Sequence, residues 1–413
     1  FRVWGAGHYR FWVGRVLVRS NPLRVFAGTP LFNWYLRALG ADIGRGVLIL
    51  SRAVPVHTDL LRVGDRTVIR KDSMFSCYRA QAGWIQTGPV TLGDDVVVGD
   101  TTTLDIYTSL GDGAQLGHSS TLEAGQSVPA GEHRQGTPAV RRTDADYSTV
   151  EPTEHATRRR AVYSMMQVLI LFSVTLPLAF TIATLLADWR LSVTSPAGSD
   201  VASLSATSLV RDALVVSIVL FVGLLVVGLI VVCTVPRLLA TMVRPGAVYP
   251  LYSIHYWAHR SITRMTNVPF FTKLFGDSSY IVHYLYCLGY DVTFEGQTGA
   301  NFGLNVKHDY PYSVTIGPGT MAADQLTIVN AEYSDTSFRV APVRIGAHSF
   351  MGNFVAYPSD AAIGDDCLLA SKVLVPIEGD PAEHLGFLGS PNFEIPRQVE
   401  RDREFDDAKR GDR

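Results

Sequence analysis

Residues 90–128 read VTLGDDVVVGDTTTLDIYTSLGDGAQLGHSSTLEAGQSV. Aliphatic residues recur here at every sixth position: Leu92, Val98, Leu104, Leu110, Leu116, Leu122 and Val128. Gly93, Gly99, Gly111 and Gly117 directly follow four of them. A helix repeats every ~3.6 residues and a flat strand every ~2, so neither sustains this rhythm. Short strands that turn a corner every six residues do. The aliphatic side chain then points inward and stacks on its equivalent one coil away, while the glycine lets the backbone turn tightly. Three such sides close one coil of a triangular prism.

A second series runs Ile345, Met351, Tyr357, Ile363, Leu369, Val375, with Gly346, Gly352 and Gly364. Ile43-Gly44 and Val63-Gly64 fit the same pattern. Residues 51–61 and 77–89 break it and read as loops thrown out from the prism; 296–313 and 330–342 are the matching departures in the second series. The two halves align at a constant shift. Adding 253 takes Val63-Gly64 to Ile316-Gly317, Leu92-Gly93 to Ile345-Gly346 and Gly136-Thr137-Pro138 to Gly389-Ser390-Pro391. Upstream the shift is 249, taking Phe26 to Phe275 and Gly40-Ala41-Asp42 to Gly289-Tyr290-Asp291. An insertion of four residues near 296–312 reconciles the two numbers.

Between the halves, 161–187 and 213–236 carry no charged residue. Each exceeds the ~20 apolar residues that a membrane-crossing helix needs. Pro177 is expected to kink the first. Arg158, Arg159 and Arg160 precede the pair and Arg237 and Arg244 follow it, whereas the loop between has only Arg190 and Arg211. That bias places both flanking regions on the cytoplasmic side.

The sequence therefore divides into an aromatic and basic lead-in (1–39), a first β-helix unit (40–142), a basic linker (143–160), two membrane helices (161–187 and 213–237) around a non-cytoplasmic loop (188–212), a second lead-in (238–288), a second β-helix unit (289–391) and a charged tail (392–413). The lead-ins suit either the membrane interface or a helical cap on an open end of the prism. The fold expected is two tandem parallel β-helices joined by a two-helix transmembrane hairpin. The first residue is Phe1, not methionine, so the chain reads as a piece of a larger protein, with another membrane pair expected before it. A net charge of −2 gives no reason to expect nucleic acid. Cys77, Cys233, Cys287 and Cys367 form no Cys-x-x-Cys pair and suggest neither a metal site nor a disulfide framework.

Candidate chemistry lies in the loops, because rigid repeats carry function there. Lys307-His308-Asp309 joins an imidazole to a neighbouring carboxylate that would orient it and raise its basicity. His57-Thr58-Asp59 occupies the corresponding loop of the first half, followed by Arg70, Lys71, Asp72 and then Arg79. Asp324, Asn330, Tyr333, Arg339 and Asn353 are polar and near irregular loops, as candidates for substrate binding. Each of these also reads as an ordinary solvated loop residue. His118 and His348 sit at coil corners without an evident partner.

The chain resembles the C-terminal membrane region of nonribosomal peptide synthetases of the ε-poly-lysine synthetase type. The resemblance rests on the order of membrane pairs and β-helix units and on local motifs. These are Val68-Ile69-Arg70-Lys71-Asp72-Ser73, Tyr78-Arg79-Ala80, Lys307-His308-Asp309, Ile345-Gly346-Ala347-His348-Ser349-Phe350 and the run from Gly389 to Arg397. The resemblance implies left-handed coiling of hexapeptide-repeat type and residence in a bacterial inner membrane. It also implies amide-bond formation between a carrier-bound aminoacyl thioester and an amino-acid or peptide acceptor. Adenylation and carrier domains elsewhere in the same polypeptide would supply the substrate on phosphopantetheine, with no cofactor bound by this chain. His308, oriented by Asp309, would then serve as base, Lys307 would assist the oxyanion, and Asp324 would hold a cationic acceptor amine. Two other readings stand beside it: a non-catalytic platform that docks the carrier or guides export, and an acyl-CoA-dependent acyltransferase. Packing of the two units within one chain favours the synthetase reading; a symmetric trimer favours the acyltransferase.

Overall fold

The computed structural model describes residues 1–142, 146–147, 150–154, 156–194, 206–293, 302–359, 361–377, 381–397 and 399. The insertion expected near 296–312, the loop expected at 188–212 and the tail expected at 392–413 lie partly outside these residues.

Each half arranges short parallel strands in three sheets. Leu110 lies beside Leu92 on one side and Val128 on the other. On the second face Leu104 lies between Phe75 and Leu122, and on the third Leu116 pairs with Val98. Partners in the regular coils are therefore three six-residue sides apart, which is one full turn of a β-helix. In the second half Ile345 lies between Ile316 and Ile363, and Met351 between Ala322 and Leu369. All these side chains are buried. Coils approach so closely at the corners that a Cβ on Gly99 would lie 2.6 Å from the backbone of Gly117 and His118.

A ladder of carboxylates pins one corner. Asp65 accepts the Arg45 backbone N–H at 2.6 Å, Asp94 accepts that of Asp65 at 2.7 Å, and Asp112 accepts that of Asp94 at 2.9 Å. Each rung satisfies a turn amide that no strand reaches.

Two segments expected as loops are β-hairpins. Tyr78–Gln81 pairs with Trp84–Thr87, and Ala331–Tyr333 pairs with Ser337–Val340. The shift of 253 superposes the two, and a preceding strand joins each: Val248–Pro250 on the second, and a single bridge from Arg2 to Trp84 on the first. Alternation of apolar and polar residues was too short in either segment to reveal them.

The first lead-in forms helices α1 (Ala6–Ser20) and α2 (Pro30–Ala38). Phe32 and Leu36 of α2 are buried in the core of the first unit, so α2 closes one open end of the prism. α1 instead exposes Tyr9, Trp12 and Leu17. The end-cap alternative for the lead-in therefore describes α2. The middle of the chain forms α3 (Ala156–Ile170), a π-helical turn at Leu171–Thr175, α4 (Leu176–Thr194) and α5 (Ala206–Ala240). The turn of wider pitch falls just ahead of Pro177, whose missing N–H breaks the regular ladder. Within these helices, 157–185 and 213–240 are long and apolar enough to cross a membrane, and almost none of either is covered by the rest of the chain. The second lead-in forms α6 (Ile254–Thr266), α7 (Pro269–Phe275) and α8 (Ile281–Leu288). Ile281, Leu285 and Leu288 of α8 enter the core of the second unit as its end cap.

The two units share a third apolar cluster. Leu48, Leu50 and Val68 of the first meet Tyr256 of α6 and Tyr310, Ala331, Phe338 and Val340 of the second. Tyr256 donates to the Gly28 carbonyl at 2.6 Å. Gly28 has φ +83°, and a Cβ there would meet Arg260, Leu50 and the Tyr256 hydroxyl, each at 3.0 Å. The ends also touch: the Thr137 N–H donates to the Ser390 carbonyl at 2.6 Å.

Leu116→Ala removes a fully buried rung of the inward stack and is expected to cost about 2–5 kcal/mol. Ser109→Ala on the outer face of a strand should stay within about 0.5 kcal/mol. Denaturant midpoints of the detergent-solubilised chain compare the two.

Candidate functional site

A cleft of about 410 Å³ lies where α6, the second unit and one corner of the first unit meet. Its charged lining comes from Arg52, Lys71, Asp72 and Asp100 of the first unit, Arg260 and Arg264 of α6, and Lys307 and Asp309 of the second. Neither unit owns it alone.

Strand alternation sets which side chains face it. Successive residues of an extended strand point to opposite faces. In Lys307-His308-Asp309 the imidazole consequently turns into the prism while Lys307 and Asp309 turn outward. His308 Nδ1 lies 2.8 Å from the Tyr290 hydroxyl, and Nε2 lies 2.8 Å from the Thr266 hydroxyl. Burial pushes its pKa down to about 3. The expected orientation of His308 by Asp309 is therefore not formed, and both ring nitrogens are already occupied. Asn267, one residue beyond α6, clamps the His308 backbone from both directions, at 3.0 and 2.7 Å.

Asp309 crosses to the first unit. One oxygen pairs with the Lys71 ammonium, and the other accepts the Ala331 N–H at 3.3 Å. Desolvation, followed by the Arg260 guanidinium, lowers the Lys71 pKa to about 7. The Lys71 side chain remains about one-fifth exposed and lines the cleft. Lys307 reaches back the other way, 2.8 Å from Asp72, at the solvent-exposed mouth. Two lysine–aspartate pairs thus run in opposite directions across the same junction.

Beneath them is a buried charge cluster. Arg70 Nε lies 2.6 Å from Asp100, in ion contact without linear hydrogen-bond geometry. The Arg70 guanidinium also donates to the Ala331 carbonyl and lies 5.6 Å from the Tyr333 ring centroid, in the second unit. The Asp100 carboxylate accepts the Lys71 backbone N–H at 3.1 Å. His118, which lacked an evident partner in the sequence, has Asp100: its Nδ1 lies 3.3 Å from the carboxylate and 2.9 Å from the Asp100 backbone nitrogen. Burial holds His118 below its usual pKa, while the Arg70 charge, opposing the cost of burial, brings Asp100 to about 2.

α6 supplies what the sequence reading missed. Arg260 and Arg264 donate to the Ala27 and Val25 carbonyls of the first unit at 2.9 and 2.7 Å. Among the described residues their buried Nε–H groups have no acceptor, and both arginines line the cleft. Burial lowers Arg264 to about 10. The available signal was the i, i+4 spacing of the two arginines, which puts both on one helix face.

The remaining candidates lie elsewhere or serve the fold. Asp324 accepts the Leu304 backbone N–H at 2.7 Å, and Asn353 accepts that of Asp324 at 3.0 Å. They are rungs of a similar ladder at a corner of the second unit, and neither lines the cleft. Asn330 is fully buried and bridges both backbone polar groups of Tyr310. The Tyr333 hydroxyl lies 2.8 Å from His259 inside the junction. Arg339 pairs with Glu332 at 2.6 Å, and the exposed Arg79 lies 3.6 Å from Asp105. His57 stacks on Phe11 of α1, and neither it nor Asp59 lines the cleft. Of the expected residues, Lys71, Asp72, Lys307, His308 and Asp309 line one space, His308 with both ring nitrogens already engaged.

No family model matches the chain. Among solved structures it resembles hexapeptide-repeat acyltransferases. One is an acetyltransferase from Vibrio cholerae, at 18% identity over 33% of this chain and 94% of that one, TM-score 0.26. Another is a maltose O-acetyltransferase from Clostridium difficile, at 14% identity over 33% of this chain and 87% of that one, TM-score 0.26. Along nearly its whole length the chain is similar to the delta-poly-L-ornithine synthetase of Acinetobacter baumannii. The two are 23% identical over 409 residues, which is 96% of this chain and 29% of that protein.

Asp100→Ala leaves the Arg70 charge buried and unpaired, an expected cost of about 3–5 kcal/mol. The double variant Asp100→Leu with Arg70→Met should recover much of that stability. Thermal melting of the three proteins in detergent measures both outcomes.

Proposed function

We propose that this chain is the membrane-bound portion of a poly(amino acid) synthetase, and that the junctional cleft joins an aminoacyl thioester to an amine acceptor. The observation that carries the reading is the Lys71–Asp309 pair, a lysine brought down to about 7 inside a cleft that two units build together. The similarity to delta-poly-L-ornithine synthetase along 96% of the chain supports it. Packing of both units within one chain also fits a synthetase better than a symmetric trimer of separate acyltransferases.

In this reading the coils are left-handed tandem β-helices. The helices at 157–185 and 213–240 form a transmembrane hairpin in a bacterial inner membrane, with both units on the cytoplasmic side. Trp12 and Leu17 of α1 lie at the bilayer surface. Adenylation and carrier domains of the same polypeptide deliver the amino acid on phosphopantetheine.

Amide formation requires a neutral amine, a base for its proton and donors for the oxyanion. The neutral Lys71 amine takes a proton from the acceptor ammonium. The freed amine attacks the thioester carbonyl, forming the C–N bond. The guanidinium groups of Arg260 and Arg264, which line the cleft, stabilise the tetrahedral oxyanion. Collapse breaks the C–S bond, the departing thiolate takes the second proton that the attacking nitrogen sheds, and Lys71 releases the first to water at the mouth of the cleft. Asp309 holds the ammonium between these steps. Asp72, at the mouth, exchanges Lys307 for a cationic side chain of the acceptor. The base thus becomes Lys71 and no longer His308.

Because the base form of Lys71 is gained as pH rises, single-turnover transfer from a preloaded carrier should increase through pH about 7 and then level off. Lys71→Met should lower transfer by about 10²–10⁴-fold with carrier loading intact. Unchanged transfer in that variant would exclude Lys71 and leave the platform reading.

A further inference from the structure

The duplication places a second copy of the cleft in the first unit. A groove of about 470 Å³ is bounded there by α1, the segment 51–56 and the strand Met74–Phe75. The shift of 249 takes Arg15, Val18 and Arg19 of this groove to Arg264, Asn267 and Val268 of the cleft; the shift of 253 takes Val54, Pro55 and Val56 to Lys307, His308 and Asp309. The space is conserved between the copies, but its chemistry is not. Asn267, Lys307, His308 and Asp309 of the second unit are replaced by Val18, Val54, Pro55 and Val56 in the first, so among the described residues no counterpart of the Lys71–Asp309 pair spans this groove.

The cationic rim is kept and extended. Arg15 stands where Arg264 stands, and Arg19 replaces a valine. Arg24 and Arg52 join them on the lining, against Asp72 as the one carboxylate. Among the described residues, none of the four arginines forms a salt bridge. Arg24 is anchored by the backbone carbonyls of Arg52 and Arg19, at 2.9 and 3.0 Å, and the Arg15 guanidinium rests 5.9 Å from the Tyr78 ring centroid. The floor is apolar, from Val54, Pro55, Val56 and Phe75. The groove adjoins the cleft, and Arg52 and Asp72 line both.

A held cationic rim, an apolar floor and a position beside the reaction centre fit a chain with a phosphate at one end and a reactive group at the other. We propose that the groove is a second binding site, in which Arg15 and Arg19 take the phosphate of a substrate-carrying arm and the apolar floor guides that arm past Arg52 and Asp72 into the cleft. The inference rests on the reading of the cleft as the reaction centre. Planar guanidinium groups pair with two phosphate oxygens at once, which suits arginine for this task.

The test uses the full chain in neutral detergent and two probes, 4′-phosphopantetheine and pantetheine, with binding followed calorimetrically. 4′-Phosphopantetheine should bind about tenfold or more tightly than pantetheine, the difference expected from charge-assisted hydrogen bonds. Arg15→Ala with Arg19→Ala should remove that preference at an unchanged melting temperature, and Arg15→Lys with Arg19→Lys should restore part of it. Lys71→Met should leave binding of 4′-phosphopantetheine as it is. Equal affinity for the two probes, or a preference that survives the double alanine variant, overturns the proposal. So does retention of the double-alanine effect only on vesicles containing phosphatidylglycerol, which would assign the arginines to a lipid headgroup. Transfer unaffected by Lys71→Met would instead defeat the reading of the cleft, whatever the arginines do.

Discussion

A coil of this fold cannot satisfy its own backbone. Each strand is too short to pair within its turn, so its amides and carbonyls find partners only in the coils above and below. Inward stacking of aliphatic side chains and hydrogen bonding between coils are therefore one constraint seen from two sides. It leaves every solenoid with two unsatisfied ends. Here α2 and α8 close one end of each unit, and the apolar surfaces that remain are brought together by Tyr256, Phe338 and their neighbours. The cleft exists because that junction is incomplete: where apolar packing stops, charged side chains from three elements fill the margin.

The coils were legible because their period is local. Leu92 to Val128 carries its own register, and the glycines mark the corners. Carboxylates at corners were harder to interpret. Asp324 and Asn353 have the polarity and loop position of binding residues, yet they accept backbone amides from the next coil. Only the ladder as a whole reveals that role, since one rung read in isolation is indistinguishable from a solvated loop aspartate.

The cleft was half legible. Lys307, Asp309, Lys71 and Asp72 stood out as charged residues beside irregular segments, but the sequence offered the wrong pairing. Neighbours in sequence suggested a His308–Asp309 couple, and strand alternation forbids it by sending the two side chains to opposite faces. The true partners, Lys71 with Asp309 and Lys307 with Asp72, lie more than two hundred positions apart. No periodicity signals such a contact. Arg260 and Arg264 were hidden for a related reason: an arginine-bearing aromatic helix beside a long apolar segment reads as an interfacial element, and its place in the cleft emerges only once both units are docked.

Those separations also bear on how the protein acquires its shape. In the regular coils contacts join residues eighteen apart, so turns can form as the polypeptide emerges and each new one grows on the last. Lys71 meets Asp309 across 238 positions, and Arg70 meets Ala331 across 261. Loop closure over such distances is slow relative to local zipping. Assembly should accordingly run in two kinetic phases, a rapid one that completes each solenoid and a later one that locks them together. In the interval each solenoid is whole while the cleft between them is not, a state in which the buried arginine and aspartates of the junction are still hydrated.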